Sequence, residues 1–152
     1  MIKLAIICND EASEARLLNC LHGEKDIIIN GFIVIQNVAH DLDKGVAFIN
    51  KMVESPPDII IVDGKILREA AALSLPPILG FMRKCADMRA IVISDRFNDE
   101  NVIIMMKEGA RGFLLREHVD ADIIKCIRVV ARGELWLSTS EQSSKLQPKS
   151  NC

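Results

Sequence analysis

The chain has 152 residues, 49% of them hydrophobic and 26% charged, and a formal charge of −2. This composition is typical of one globular domain with a single core, and it excludes a disordered chain. Balanced charge and only 4% aromatic residues argue against a domain that coats nucleic acid or an anionic membrane. No apolar run approaches the roughly 20 residues of a membrane helix, and the apolar start of the chain ends at Asn9 without a signal-peptide cleavage site. We therefore expect a cytoplasmic protein that makes no membrane contact.

Five short runs of continuously apolar residues predict strands that are covered on both faces, as in a parallel sheet. The runs are Leu4–Cys8, Phe32–Ile35, Ile59–Val62, Ala90–Ile93 and Phe113–Leu115. A parallel sheet needs crossover connections between its strands, and these are usually helices.

Apolar residues at helical spacing occupy the segments between the predicted strands. Residues that favour a helix N-terminus precede these segments, and they are Ser13, Asp43, Asn98 and Asp120. The helix after Asn98 is expected to end at Gly109. Because Pro76 and Pro77 cannot continue a helix, residues 64–75 are predicted to form an irregular turn, with a helix from about Ile78 to Cys85.

The order of these elements predicts a single α/β domain over residues 1–137, with five βα units and helices on both faces of the sheet. Residues 138–152 are rich in Ser, Gln, Lys and Pro, which indicates a polar linker or disordered tail.

The five cysteines form no CxxC pair, which argues against a zinc site or a disulfide framework. Four lie in or beside apolar segments and are expected to be buried and reduced, namely Cys8, Cys20, Cys85 and Cys126. Cys152 lies in the polar tail and is expected to be exposed.

Functional groups in an open parallel sheet collect beyond the carboxyl ends of the strands. Those positions hold Asn9-Asp10-Glu11, Asp63, Ser94-Asp95 and Arg116. Carboxylates that lie close together raise a pKa or hold a cation, and Mg²⁺ binds through one or two carboxylates and a phosphate. A carboxylate can also attack a phosphoryl group, whose oxygens a hydroxyl and a cation then hold. The pattern therefore indicates phosphoryl chemistry at this edge.

With these residues the sequence resembles the receiver domain of two-component response regulators, the CheY-like fold, from about Ile2 to Ser138. The similarity is clearest in Gly109-Ala-Arg-Gly-Phe-Leu-Leu-Arg116, in Asp122-Ile-Ile-Lys-Cys-Ile-Arg and in Gly133-Glu-Leu-Trp-Leu-Ser138. It is closest to the NarL and LuxR type, in which a helix-turn-helix domain follows the receiver. The resemblance implies a doubly wound, flavodoxin-like sheet with strand order 2-1-3-4-5.

The resemblance also implies a signalling domain rather than an enzyme, whose only reaction is the acceptance of a phosphoryl group. A sensor histidine kinase would supply that group with Mg²⁺ as the cofactor, and the switched protein-binding face would control transcription. A homodimer is one expected assembly. DNA contact would require a C-terminal helix-turn-helix domain that this chain does not contain.

Carried over to this sequence, the resemblance identifies Asp63 as the phosphoacceptor. It implies metal ligation by Asp10, Asp63 and the backbone carbonyl of Lys65. Asn9 stands where the family has the first acid of its pair, although a shift by one residue would make the pair Asp10 and Glu11.

The resemblance further assigns Ser94 as the switch hydroxyl and Phe113 as the switch aromatic residue. Arg116 stands where the family uses lysine to pair with the phosphate, and its planar fork has a different reach. The segment after Asp63, Gly-Lys-Ile-Leu-Arg, lacks the Met-Pro turn common in the family, and residues 24–31 form an expanded segment before the second strand.

Two other hypotheses remain open. A pseudo-receiver would keep the fold but act through protein contacts alone, which Asn9, Arg116 and the altered segment after Asp63 favour. A small flavodoxin-like enzyme or nucleotide binder is disfavoured, because no glycine-rich phosphate loop follows the first strand.

Overall fold

A six-stranded parallel sheet forms the centre of the structure, a computed structural model that describes residues 1–76, 78–80 and 87–138. The strands are β1 Ile2–Cys8, β2 Ile27–Val34, β3 Ile59–Asp63, β4 Arg89–Ser94, β5 Ala110–Leu115 and β6 Trp136–Ser138. They lie in the order β2-β1-β3-β4-β5-β6, and every neighbouring pair is parallel. The predicted α/β fold and the order of the first five strands are confirmed, and β6 adds a strand at the edge.

Helices connect the strands. They are α1 Glu11–Leu21, α2 Leu42–Glu54, α3 Gly64–Ala72, α4 Asp99–Lys107 and α5 Val119–Ala131, with a 3-10 turn at Arg116–His118 before α5. Residues 78–80 are also helical. The rest of the helix predicted to run from Ile78 to Cys85 lies outside the described residues, as does the predicted tail after Ser138 with Cys152. None of the helices in the described ranges has the length and apolar character that crossing a bilayer requires.

The core lies on both faces of the sheet, which explains why the central strands are continuously apolar. Ala5 and Val62 pack on one face with α2, α3 and α4, whereas Ile6 and Ile61 pack on the other face with α1 and α5. All five residues of β3 are buried. Cys8 and Cys126 are buried as predicted, whereas Cys20 is only partly so.

The second strand is longer than its sequence predicted. β2 begins at Ile27, so the apolar run from Phe32 captured only its second half, and most of the segment judged to be expanded is strand. β2 is an edge strand with Ile28 and Phe32 exposed, and its pairing with β1 shifts at Asn30. Because β2 is interrupted and half-exposed, it lacks the continuous apolar run by which the other strands were predicted.

Three helices begin earlier than predicted, because other residues occupy the capping positions. Asp10, not Ser13, caps α1, and the Ser13 amide donates to Asp10 Oδ1 at 2.7 Å. α2 follows Asp41 and begins at Leu42, two residues earlier than a helix preceded by Asp43 would. α5 follows His118 and begins at Val119 rather than after Asp120. The prediction for α4 is confirmed, since Asn98 caps it.

The irregular turn predicted for residues 64–75 is wrong, because α3 begins immediately after β3. Asp63 caps this helix, and the Lys65 amide donates to Asp63 Oδ1 at 2.9 Å. The chain leaves the helix at Ser74, whose φ of 58° is left-handed. The two prolines thus follow α3 rather than prevent it.

Candidate functional site

The carboxyl edge of the sheet brings Asp63, Ser94 and Arg116 together through the strand register. Asp63 is paired with Ile93 of β4, and Ser94 is paired with Leu115 of β5. Arg116 follows Leu115 directly, so its side chain leaves β5 beside the end of β4 and reaches Asp63 on β3. The sequence predicted these strand-end positions, and the register places them next to each other.

Asp63 is a buried carboxylate with two different partners. It is 4% exposed, its Oδ1 accepts from the Lys65 amide, and its Oδ2 lies 2.9 Å from Arg116 Nη1. A buried charge is strongly destabilising unless it is paired and hydrogen-bonded. Arg116 and the Lys65 amide therefore supply the ion pair and the hydrogen bond that compensate for the burial of Asp63.

Arg116 bridges two carboxylates. Its Nη1 pairs with Asp63, while its Nε donates to Asp95 Oδ1 at 2.6 Å. Burial opposes the guanidinium charge, but the hydrogen bonds to both carboxylates outweigh burial and raise the pKa of Arg116. Asp95 was visible in the sequence as a strand-end acid but received no role. Only the position of Asp95 directly after Ser94 could have indicated that it binds Arg116.

Ser94 lies beneath the start of α3. It is 3% exposed, its hydroxyl donates to the Arg96 carbonyl at 2.9 Å, and it lies 3.4 Å from Arg68 Nη1. A Cβ on Gly64 would lie 3.2 Å from Ser94 Cβ, so the lack of a side chain there allows α3 to begin so close to β4. The hydroxyl lies next to Gly64, the residue after Asp63, and it is bonded to its own loop.

Asp10 belongs to the same edge. The Ser13 amide bond lowers the pKa of Asp10, and the charges of Arg116 and Lys65 lower it further. Asn9 is directed elsewhere, since its Nδ2 donates to the Ile35 carbonyl at 3.4 Å. Glu11 is exposed in the first turn of α1.

An aromatic pair lies behind Ser94. Phe113 is fully buried in β5, and its ring meets that of Phe97 edge to face, with centroids 5.8 Å apart. Phe97, which sequence reasoning passed over, lies in the same loop as Asp95. The residue assigned as the aromatic switch is therefore a core residue in contact with the loop that Arg116 holds.

The residues at this edge do not fit a resident Mg²⁺ ion. The described part of the chain has no group of three His, Cys, Asp or Glu side chains that could hold a metal, so an ion at this edge would depend on Asp10, Asp63 and main-chain or water oxygens. Lys65 lies in the first turn of α3, and helix geometry directs its carbonyl along the axis toward the Glu69 amide. The guanidinium of Arg116 meanwhile faces Asp63 Oδ2.

The sequence is similar to known regulatory proteins, although no family model matches it. It is 27% identical over 124 residues to the oxygen regulatory protein NreC of Staphylococcus epidermidis, a match that covers 73% of this chain and 53% of that protein. NreC of Staphylococcus carnosus is 22% identical over 131 residues, covering 78% and 56%. The chain therefore spans about half the length of the curated relatives it matches.

Solved structures share the fold. The isolated REC domain of RcsB from Salmonella enterica serovar Typhimurium in the apo form has a TM-score of 0.72 at 14% identity, covering 96% of this chain and 98% of that one. The response regulator domain of Thermotoga maritima CheB has a TM-score of 0.66 at 18% identity, covering 87% and 97%. These likenesses show the fold alone, and they confirm the fold that the sequence resemblance implied.

Proposed function

We propose that this chain, which has the fold of response-regulator receiver domains, accepts a phosphoryl group on Asp63 and thereby changes a protein-binding face. The observation that carries the proposal is the 2.9 Å pairing of the buried Asp63 carboxylate with Arg116. A sensor histidine kinase is the proposed donor, so that an Asp63 oxygen would attack the phosphorus of its phosphohistidine, the P–N bond would break and the imidazole would leave. Because transfer places an anion beside the Arg116 cation, the product would be held by a group that the fold supplies.

The two oxygens of Asp63 have different roles in this proposal. Oδ1 is held by the Lys65 amide, so Oδ2 is the proposed acceptor atom. Once Oδ2 carries the phosphoryl group, Arg116 would move its hydrogen bond from the carboxylate to the phosphoryl oxygens. Ser94 would exchange the Arg96 carbonyl for the same oxygens.

The output would come from the loop between β4 and α4. Arg116 holds Asp95 in this loop, and Ser94 donates to its Arg96 carbonyl. If both bonds are exchanged on phosphorylation, the loop is released and α4, with Ile103 and Ile104 exposed, changes its position. We propose that this face binds a protein partner, a second copy of the chain among the candidates.

The proposed output is transcription control, in keeping with the resemblance to NarL and LuxR regulators and the similarity to NreC. A solved complex of RcsB with DNA has a TM-score of 0.69 to this chain, which covers 66% of the RcsB chain in that complex. DNA contact by the present protein would accordingly require a region beyond this receiver fold.

A second candidate is the pseudo-receiver, which acts through protein contacts without phosphorylation. The observation that favours it is that Asn9, in place of an acid, donates its side-chain N–H to the Ile35 carbonyl at 3.4 Å.

Intact-mass spectrometry after incubation with acetyl phosphate, with and without Mg²⁺, distinguishes the two candidates. We expect one phosphoryl adduct on the wild type and none on Asp63→Asn. Asp43→Asn, an acid-to-amide change on the exposed start of α2, is the matched control and should be modified like the wild type. Absence of an adduct from a wild type with a cooperative unfolding transition would reject phosphoryl acceptance and favour the pseudo-receiver.

A further inference from the structure

We infer that the Arg116 guanidinium is the resident cation of this site, and that by bridging Asp63 and Asp95 it keeps a divalent metal ion out. The inference concerns the same carboxylate as the proposed function, but it holds whether or not Asp63 accepts a phosphoryl group. Its test therefore measures metal binding with no phosphoryl donor present.

The bridge depends on the geometry of arginine. Arg116 starts from the end of β5 and must pass the end of β4 to reach Asp63 on β3, and neighbouring strands lie about 4.8 Å apart. Its Nη1 lies 2.9 Å from Asp63 Oδ2 and its Nε lies 2.6 Å from Asp95 Oδ1. Two separate nitrogens on one planar group thus bind two carboxylates, which a single ammonium group on the same stem is poorly shaped to do.

Charge at the site disfavours a second cation. Asp63 is buried and already paired at close range, so a divalent ion approaching Oδ2 would meet the guanidinium charge across a few ångströms of poorly solvated protein. The guanidinium therefore weakens the attraction that Asp63 would otherwise exert on a divalent ion.

The oxygen ligands that would compensate for this repulsion are directed elsewhere. Asn9 lacks the charge of a carboxylate, and its amide group donates to the Ile35 carbonyl. The Lys65 carbonyl points along α3. Mg²⁺ loses its waters reluctantly and requires near-octahedral oxygen ligands, so two carboxylates beside a guanidinium are a weak site for it.

The arginine bridge also does something that a metal bound at Asp63 and Asp10 would not do. Through Asp95 it ties Asp63 to the loop after β4, where Phe97 contacts the buried Phe113. Arg116 therefore connects Asp63, through Asp95, to the loop that leads into α4.

Titration with MgCl₂, followed by ¹⁵N–¹H NMR, tests the inference. In the wild type, we expect the amides of Asp10, Gly64 and Ser94 not to shift at millimolar Mg²⁺. The double variant Asn9→Asp/Arg116→Lys restores an acid and shortens the reach of the cation, so its affinity for Mg²⁺ should be at least about tenfold higher, which corresponds to about 1.4 kcal/mol. Arg132→Lys makes the same exchange at an exposed arginine paired with Glu134, and it should behave like the wild type.

Binding of Mg²⁺ by the wild type as tightly as by the double variant would overturn the inference. The same holds if the double variant is folded and gains no affinity. Should the double variant fail to fold by circular dichroism, Arg116→Gln, which removes the cation but keeps a hydrogen-bonding side chain, takes its place with the same expected gain. If the wild type accepts a phosphoryl group in the absence of Mg²⁺, both the proposed function and this inference are supported. If the wild type binds Mg²⁺ tightly, only the inference about Arg116 is contradicted.

Discussion

Asp63 shows how one side chain serves a structural and a chemical purpose at once. Its Oδ1 satisfies an amide at the start of α3, and its Oδ2 pairs with Arg116. In the sequence, an acid at the end of a strand is equally consistent with a helix cap and with a reactive group. The structure assigns the cap and the ion pair to different oxygens of the same residue, so one use does not exclude the other.

Asp10 provides a prediction at the scale of a single residue. It caps α1, so Asp10→Ala should lower the free energy of unfolding by about 1 kcal/mol at pH 7, and Asp10→Asn should lower it less. The pKa of Asp10 is lowered in the folded state from its ordinary value of 3.8, chiefly by the Ser13 amide bond. The stabilisation from its charge is therefore present above pH 3.8 and is lost as the pH falls through the folded-state pKa.

Urea unfolding of the wild type and both variants at pH 7 and pH 3 checks this prediction. The difference between the wild type and Asp10→Ala should shrink at pH 3. A difference that stays constant with pH would show that the carboxylate charge contributes nothing to the cap.

At the scale of elements, the distance between neighbouring strands and helices limits which side chains fit between them. β5 packs closely against β4 and α5 at Gly112, where a Cβ would lie 2.8 Å from Ile91 Cγ1 and 3.1 Å from both Cys126 Sγ and Val130 Cγ2. These atoms belong to buried side chains of the core, which has little room to adjust. Gly112 is therefore required by close packing rather than by a backbone angle.

Replacing Gly112 with alanine should lower the free energy of unfolding by about 2 kcal/mol, because the added methyl group overpacks the core. The matched control is Gly45→Ala in α2, where a Cβ would meet only the end of the Ile35 side chain at 3.3 Å. Alanine is also the better helix former, so the control should be neutral or slightly stabilising. Equal effects of the two changes in chemical denaturation would contradict the packing argument.

The elements that sequence reasoning predicted well are those with a simple burial pattern. β1, β3 and β4 are buried on both faces and were predicted within about two residues, whereas the half-exposed β2 was not. α3 was missed because its start depends on the Asp63 cap and on the space that Gly64 leaves beside Ser94. Neither the cap nor this space can be recognised from the spacing of apolar residues in the sequence.

At the scale of the whole molecule, the sheet separates two apolar layers and its edges differ. β6 pairs with β5, and Trp136 packs partly buried against the layer that contains α5. The sequence placed the end of the domain at residue 137, within this strand. We therefore expect the domain to tolerate shortening only as far as the end of β6.

Two truncations test this boundary. Removing residues 139–152 should leave the melting temperature unchanged, because β6 is kept. Removing residues 136–152 deletes β6 and uncovers part of the second apolar layer, and we expect it to lower the melting temperature by about 5 °C. Thermal unfolding followed by circular dichroism measures both, and an equal loss in the two variants would place the domain boundary further along the chain.

The sequence by itself determined the parallel α/β fold and the set of polar residues at the carboxyl edge, because burial on two faces leaves continuous apolar runs and places polar groups at their ends. Only the tertiary structure decided that Arg116 pairs with both Asp63 and Asp95, that the Ser94 hydroxyl is bonded to its own loop, and that α3 begins at Gly64. These contacts join residues up to 53 positions apart, from Asp63 to Arg116. They depend on strand order, register and the space between neighbouring backbones, which no local pattern of residues contains.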